Sequence, residues 1–565
     1  MLLIPEPRKL KINEGSCPAD IASSLSIGDN DIPPQGYRLT IQPGKISIKA
    51  ADAAGAFYAE QTLEQITEQS KGAGLPCLRI DDWPDFSVRG YMLDISRDRV
   101  PTMEHLRRLV DALAALRYNQ LQLYTEHTFA YTGHETVWGM ASPMTAEEIE
   151  ELDTYCADRH IELVPNQNSF GHFERWLQHE EYQNLAECPD GFTHPLTGPR
   201  PYGGTLRPNE ESLSFLNELY SELLPHFSSN KFNVGGDEPW ELGQGWSKAQ
   251  IDIEGKHAIY ARFLKRICEL AESHNAEPMC WADILLENPA FIDELPASVT
   301  PILWGYEANH PFDQQCAILA STDRPFYVAP GDSTWNSFTG RVRNMLENIR
   351  SAARHGLSQN AVGFLVTHWG DNGHPQTWAV SLPGMVAGAL FSWYGDAESN
   401  LDLTRQINRL FFKGEDRTAA EVLLELGDVD HAIPLKLANQ SFLFSSMRLP
   451  IEELQAKLVS CPESCFEGVI SQTWEWESVL NGTTIHADDA HWLRDEMDLA
   501  IDLTRFAAQR CLAVKSHTGP ANEFNLGSGL RAELSSLIGQ FEKLWTRRSR
   551  IGGLHESSQR LRRLL

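Results

Sequence analysis

The chain runs to 565 residues, of which 42% are hydrophobic and 22% charged; this excludes disordered and fibrous classes and leaves room for about two to four globular domains. Its net charge of −29 opposes binding to nucleic acid or to anionic membrane surfaces, whose phosphates would repel it. No apolar run approaches the roughly 18 residues of a membrane span, and the opening "MLLIPEPRKLKINEG" puts its basic residues after a short apolar start broken by prolines. A secretory signal has the reverse order, so a cytoplasmic location is expected.

Residues 1–84 alternate short β-like runs with one helix. "GYRLTIQPGKISIKA" has the alternation of a hairpin about Pro43-Gly44, and "ADAAGAFYAEQTLEQITEQ" carries the apolar stripe of a helix. From residue 85 the rhythm becomes strand, then helix, repeated. Candidate strands are "RGYMLDIS" (89–96), "QLQLYTE" (120–126), "IELVPN" (161–166), "KFNVGG" (231–236), "EPMCWAD" (277–283), "VTPILWGY" (299–306), "PFYVAPG" (325–331) and "GFLVTHWG" (363–370). Most are short, apolar and bounded by turn residues, as strands buried on both faces must be. Eight such units predict a (β/α)8 barrel of the TIM type over residues 85–414. The alternative, a doubly wound sheet, lacks its Gly-x-Gly-x-x-Gly turn after the first strand. Residues 415–565 carry helical patterns and few strand signals. The last helix, rich in arginine, reads as a solvated face or as a contact between copies in a homo-oligomer. The ten cysteines are scattered, only Cys461 and Cys465 are close, and no spacing suits zinc, so free thiols without metal or cofactor are expected.

The active site of such a barrel lies at the carboxyl ends of its strands. Those ends read Asp94 with Arg97, Thr125-Glu126-His127, Asn166 to His172, Asp237-Glu238, Trp281 with Asp283, Trp304 to Tyr306, Tyr327, and His368 to Asp371. A single Trp is more often core than ligand contact, and Gly-Gly-Asp alone is ordinary turn chemistry. Convergent carboxylates together with Trp at several strand ends suit a sugar, whose ring faces stack and whose hydroxyls need acceptors. Adjacent acids such as Asp237 and Glu238 cannot easily straddle a sugar ring, because their α-carbons are about 3.8 Å apart. They fit a scheme in which the substrate supplies its own nucleophile, a known exception to the rule of two opposed carboxylates.

"VGGDE" (234–238) resembles the catalytic signature of family 20 glycoside hydrolases, the β-N-acetylhexosaminidases. "DWPDFSVRGYMLDISRD" resembles the start of that family's barrel, "LVPNQNSFGH" its third-strand motif, and "WGD" (369–371) stands where the family has Trp-x-Glu. "GAFYAEQTLEQI" in the preceding α+β unit is similar to the family's N-terminal domain. Thr125-Glu126 in place of the family's Asp-Asp, and Asn168 in place of an Asp, look more like the hexosaminidase D branch. The resemblance implies a retaining exo-enzyme acting on glycans or glycoconjugates with a terminal β-linked N-acetylhexosamine, through an oxazolinium intermediate. It implies Glu238 as general acid and base, Asp237 orienting the acetamido group, and His172, Asn168 and Glu126 supporting them. Trp281, Trp304 and Trp335 would wall the acetamido methyl, Trp369 would form the floor, and Tyr327 would donate to the acetamido oxygen. Arg89 and Asp371 would hold the 3-, 4- and 6-hydroxyls. Loss of the 371 methylene relative to the family's glutamate leaves room for an axial 4-hydroxyl. The alternatives are a strict β-N-acetylgalactosaminidase and a non-catalytic sugar-binding barrel. For His172, the alternative is a loop-capping role.

Overall fold

Alternating apolar residues build a five-stranded sheet at the N-terminus, from β1 (Lys9–Cys17), β2 (Ser23–Ile27), β3 (Tyr37–Gln42), β4 (Lys45–Ala50) and β5 (Leu75–Asp82), in the order β1-β5-β3-β4-β2. The structure, a computed structural model, describes residues 1–70, 72–195, 198–395, 402–414 and 418–565. The hairpin β3–β4 turns at Pro43-Gly44, with Gly44 at φ +70°. Asp52 then caps the helix Ala53–Gln69 by accepting from the Gly55 amide at 2.8 Å. That helix lays Tyr58, Ala59, Thr62 and Ile66 on the sheet.

Eight parallel strands close the barrel. They are β6 (Val88–Asp94), β7 (Gln120–Thr125), β8 (Glu162–Gln167), β11 (Lys231–Asn233), β12 (Glu277–Trp281), β13 (Thr300–Trp304), β14 (Tyr327–Ala329) and β15 (Gly363–His368), with a hairpin, β9 (Phe192–His194) and β10 (Gly198–Arg200), inserted after β8. Each expected strand is present, and the ladder closes where β8 pairs β11 and β15 pairs β6. Met92, Val164, Met279, Ile302, Tyr327 and Leu365 fill the barrel interior together with aromatic residues of the site. Beside them runs a buried amide relay. Asn166 and Asn233 both donate to Gln122, and Asn233 in turn accepts from the Gly235 amide at 3.0 Å. The core thereby fixes where the chain leaves β11.

The two flanking units are tied to the barrel by buried charge. Arg117, at the end of the helix that begins at Met103, pairs with Asp82 of β5 at 2.6 Å, and Asp82 also accepts from the Trp393 indole at 3.0 Å. The helix Trp378–Trp393 is apolar on all sides because it is covered on all sides: the barrel lies under it and the C-terminal helices above. Glu496, in the helix Ala490–Ser516, accepts from the Ala379 amide in its first turn and pairs with Arg548. No helix among the described residues is long and apolar enough to cross a membrane. The expected start of the C-terminal region, residue 415, lies outside the described residues; beyond 417 that region is helical. Its last helix, Leu554–Arg562, packs against the barrel: Arg560 donates to Asp98 at 2.8 Å and Ser557 to the Gly373 carbonyl.

Candidate active site

Two loops at the carboxyl ends of β8 and β11 interlock to hold the acidic pair. Gly235 and Gly236 leave β11 with φ of +74° and +92°, the left-handed region that glycine enters freely. A methyl group at Gly235 would also meet the Asn168 amide, at 2.4 Å, and one at Gly171 would meet the Asp237 carbonyl, at 2.7 Å. Both glycines are therefore required by close approach, and the approach brings Asn168 and His172 onto Asp237. His172 and Glu238 themselves sit at φ +60° and +49°, strained values for non-glycine residues that recur where a side chain must be aimed.

Asp237 is buried. Its Oδ1 accepts from Asn168 Nδ2 at 2.9 Å, and its Oδ2 lies 3.2 Å from His172 Nε2. The same imidazole nitrogen is 3.8 Å from Glu238 Oε2 and makes no aligned hydrogen bond to either acid, so one ring bridges the two by charge and proximity. Burial alone would raise Asp237, but His172 and the Asn168 amide outweigh it and hold the carboxyl below its ordinary value. Burial alone would lower His172, and Asp237 overrides it, pushing the imidazole up to about 10. Glu238 moves the other way from Asp237: burial raises it, His172 opposes, and the Asp237 charge adds to the rise. Two neighbouring carboxyls with opposite displacements are suited to opposite tasks, one ionised and one able to give a proton. Glu126, at the end of β7, accepts from the Tyr124 hydroxyl at 2.9 Å and is pushed up to about 7 by burial. Asp283, just beyond β12, is pushed up to about 7 by burial and by Asp237 and Glu238.

The rest of the pocket is aromatic. Trp281, Trp304, Trp335 and Trp369 line it with Tyr306. Tyr306 organises the group: it stacks on Trp304 at 5.1 Å, meets Trp335 edge-on at 5.0 Å, and accepts from the Trp369 indole at 2.8 Å. Trp281 is fully buried and its indole N–H has no partner within the described residues. Asn439, from the C-terminal region, completes the wall and accepts from the Trp335 indole at 2.9 Å. Such a box accepts the flat, apolar face of a sugar and leaves polar groups at its edges.

Two expected site residues lie elsewhere. Arg89 is at the amino end of β6 and is 1% exposed. It donates to the Arg117 and Phe86 carbonyls, to Gln35 and to the Tyr58 hydroxyl, and thus pins the N-terminal unit to the barrel floor. Tyr327 opens β14 and fills the barrel interior beside Gln120 and Gly363. The guanidinium at the site is that of Arg97, just past β6. It lies 2.9 Å from Asp94, 3.5 Å from Glu126 and 3.5 Å from Asp371, with its guanidinium over the rings of Tyr124 and Trp369 at 5.0 and 4.9 Å. The aromatic hydroxyl present at the pocket is that of Tyr306, which accepts from the Trp369 indole. Asp237, Glu238, His172, Asp371 and the four tryptophans line one pocket, with Asn168 behind Asp237 and Glu126 behind Arg97.

The two arginines should separate cleanly by experiment. Arg97→Ala is expected to raise KM for the sugar substrate about tenfold or more, because a charged hydrogen-bonding group carries about 1.5–3 kcal/mol. Arg89→Ala should leave KM within about twofold and instead lower the thermal midpoint, through the acceptors it strands. Calorimetry and initial rates on both variants decide; a KM effect confined to Arg89→Ala would reverse the assignment.

A carboxylate pair and an aromatic box at the carboxyl mouth of a (β/α)8 barrel define a carbohydrate-directed barrel. The chain belongs to glycosyl hydrolase family 20: the model of the family's catalytic domain matches residues 86–369 and that of its domain 2 matches residues 4–83. Among individual relatives, a beta-hexosaminidase of Akkermansia muciniphila is 28% identical over 284 residues, 45% of this chain and 55% of that protein, so the chain spans about half the length of this relative. Hexosaminidase D of Homo sapiens is 23% identical over 406 residues, 68% of this chain and 78% of that one. The X-ray structure of a Flavobacterium johnsoniae chitobiase superposes with a TM-score of 0.57 at 17% identity, covering 99% of this chain and 98% of that one. The likeness of fold therefore extends through the C-terminal helices.

Proposed function

We propose that the protein is a retaining exo-β-N-acetylhexosaminidase that works by substrate assistance. The observation that carries this reading is the His172 bridge between adjacent acids, which leaves Asp237 ionised beside a Glu238 displaced toward protonation. Glu238 protonates the departing oxygen and later takes a proton from water. Asp237 receives the acetamido N–H and stabilises the positive charge that develops as the acetamido oxygen closes on the anomeric carbon. The tryptophan box holds the methyl and the ring, and Tyr306 offers a hydroxyl where Tyr327 cannot. Arg97 and Asp371 form the polar edge for the sugar hydroxyls. Relatives named beta-hexosaminidase and hexosaminidase D support the substrate class.

The test is a substrate panel. p-Nitrophenyl N-acetyl-β-glucosaminide and the galactosaminide are expected to turn over, the plain β-glucoside to be inert, and an N-acetylhexosamine thiazoline to inhibit competitively. Rapid cleavage of the glucoside would replace this reading with an opposed pair in which Asp371 faces Glu238 as nucleophile.

Epimer choice belongs to the same pocket edge. Asp371 is partly exposed and reaches Arg97 at 3.5 Å, a loose contact that leaves space at the far end of the sugar. Activity on both epimers is expected, with the galactosaminide at least comparable. Asp371→Glu should shift the ratio of kcat/KM toward glucosaminide by a modest factor, because no buried polar group loses its partner outright. An unchanged ratio, or a wild type that strongly favours glucosaminide, would overturn this account of the edge.

A further inference from the structure

Five arginines, Arg448, Arg510, Arg531, Arg560 and Arg563, line one cavity of about 540 Å³ in the C-terminal region; no Asp or Glu side chain lines it, and its one acidic group is the main-chain carboxylate of Leu565. That volume is the size of a small-molecule site. The concentration of cations is unexpected in a chain of net charge −29. Among the described residues Arg448, Arg510, Arg531 and Arg563 have no Asp or Glu side chain within ion-pair reach, while Arg560 spends one nitrogen on Asp98. Arg531 donates to the Leu526 carbonyl and the Asn525 side chain. Arg510 is 2% exposed; it donates to the Ser446 carbonyl, and its Nε is buried with no partner. The Nε of Arg560 is likewise buried and unpartnered.

Gathering five guanidinium groups with only the Asp98 pair and the Leu565 carboxylate to offset them is unfavourable, since each like-charged pair repels. An oxyanion relieves the repulsion: its oxygens accept from the guanidinium N–H groups that face the cavity, in the fork geometry these groups offer, while the two buried Nε atoms stay out of its reach. We propose that this cavity binds a phosphate or sulfate group, held by Arg448, Arg510 and Arg531. It is separate from the catalytic pocket, with which it shares no lining residue. It is nonetheless adjacent, because Arg560 packs on Gly373 in the loop that carries Asp371 and Arg448 feels the Asp371 charge. The group can arrive as a free ion or as an ester borne on a glycan, and both have the same chemistry at the arginines.

The experiment is titration of the full chain with sodium phosphate, sodium sulfate and a chondroitin sulfate oligosaccharide, each against sodium chloride at equal ionic strength. Calorimetry and the thermal midpoint are the readouts. Wild type should bind at least one of these probes and be stabilised by it beyond chloride. Arg448→Ala and Arg531→Ala should each weaken that binding about tenfold while hydrolysis of the nitrophenyl substrate is retained. Binding of the inorganic ions identifies a free-ion site, and binding of the oligosaccharide alone identifies an ester carried by glycan. Wild type that responds to no probe beyond chloride overturns the proposal whatever the variants do. Equal affinity in wild type and in both variants overturns it too. Should either alanine variant misfold, Arg448→Gln and Arg531→Gln take its place.

Discussion

Replacing Glu238 by glutamine is expected to lower turnover on a sugar leaving group by about two to four orders of magnitude, the usual contribution of a positioned general acid. The amide keeps the size of the side chain and its hydrogen bonding but has no proton to give. The loss should therefore follow the leaving group: large for a chitobiose-like substrate, smaller for a nitrophenyl one, and smallest for a dinitrophenyl one, which departs without protonation. Glu238 lies over Gly171 and beside His172, on a backbone already turned to φ +49°, so an isosteric change should leave the loop as it is. Equal losses across the leaving-group series would show that Glu238 positions the substrate and does not protonate it.

Most of the fold was legible because barrel strands are buried on both faces and so are short apolar runs between turn residues. All eight runs read from the sequence correspond to β6–β8 and β11–β15. The acidic motif was legible for a different reason. Gly235, Gly236 and Gly171 are positions where a methyl group has no room or where φ is positive, so the motif records backbone geometry as well as chemistry. Arg89 and Tyr327 were misplaced because a strand has two ends. Residues 89 and 94 are five apart, which at about 3.3 Å per residue puts some 17 Å between the barrel floor and its catalytic mouth. Strand direction puts Arg97, already noted beside Asp94, and Tyr306, beyond the end of β13, at that mouth. Asn439 carried no local signal. It comes from the C-terminal region, and only the docking of that region, through contacts such as its own amide to Glu307 at 2.7 Å, brings it to Trp335.

Replacing Asp237 by asparagine is expected to lower kcat by about 10²–10³, the scale for removing one group aimed at developing charge, with little change in KM. Asparagine can still contact the acetamido group, but it cannot offset the positive charge that forms as the ring closes. The paired histidine gives a second readout. His172 is raised from an ordinary 6.5 to about 10 chiefly by Asp237, so the contribution of the pair to stability is complete below about 6.5 and is lost as pH rises through about 10. Asp237 is lowered from 3.8, so the same contribution is present above 3.8 and is lost as pH falls through its depressed value. Both statements describe one ion pair, whose contribution is therefore full from about pH 3.8 to about pH 6.5, declines above that until about pH 10, and is absent from Asp237→Asn throughout. The effect on Glu238 is mixed in that variant, since loss of the Asp237 charge lowers it while loss of protonated His172 raises it. His172→Asn removes the ambiguity. Without the cation both carboxyls rise, so both limbs of the kcat/KM profile should move to higher pH. Limbs that stay in place in His172→Asn would show that the imidazole does not set these acids. An Asp237→Asn enzyme within about tenfold of wild type would show that charge stabilisation is not the role of Asp237.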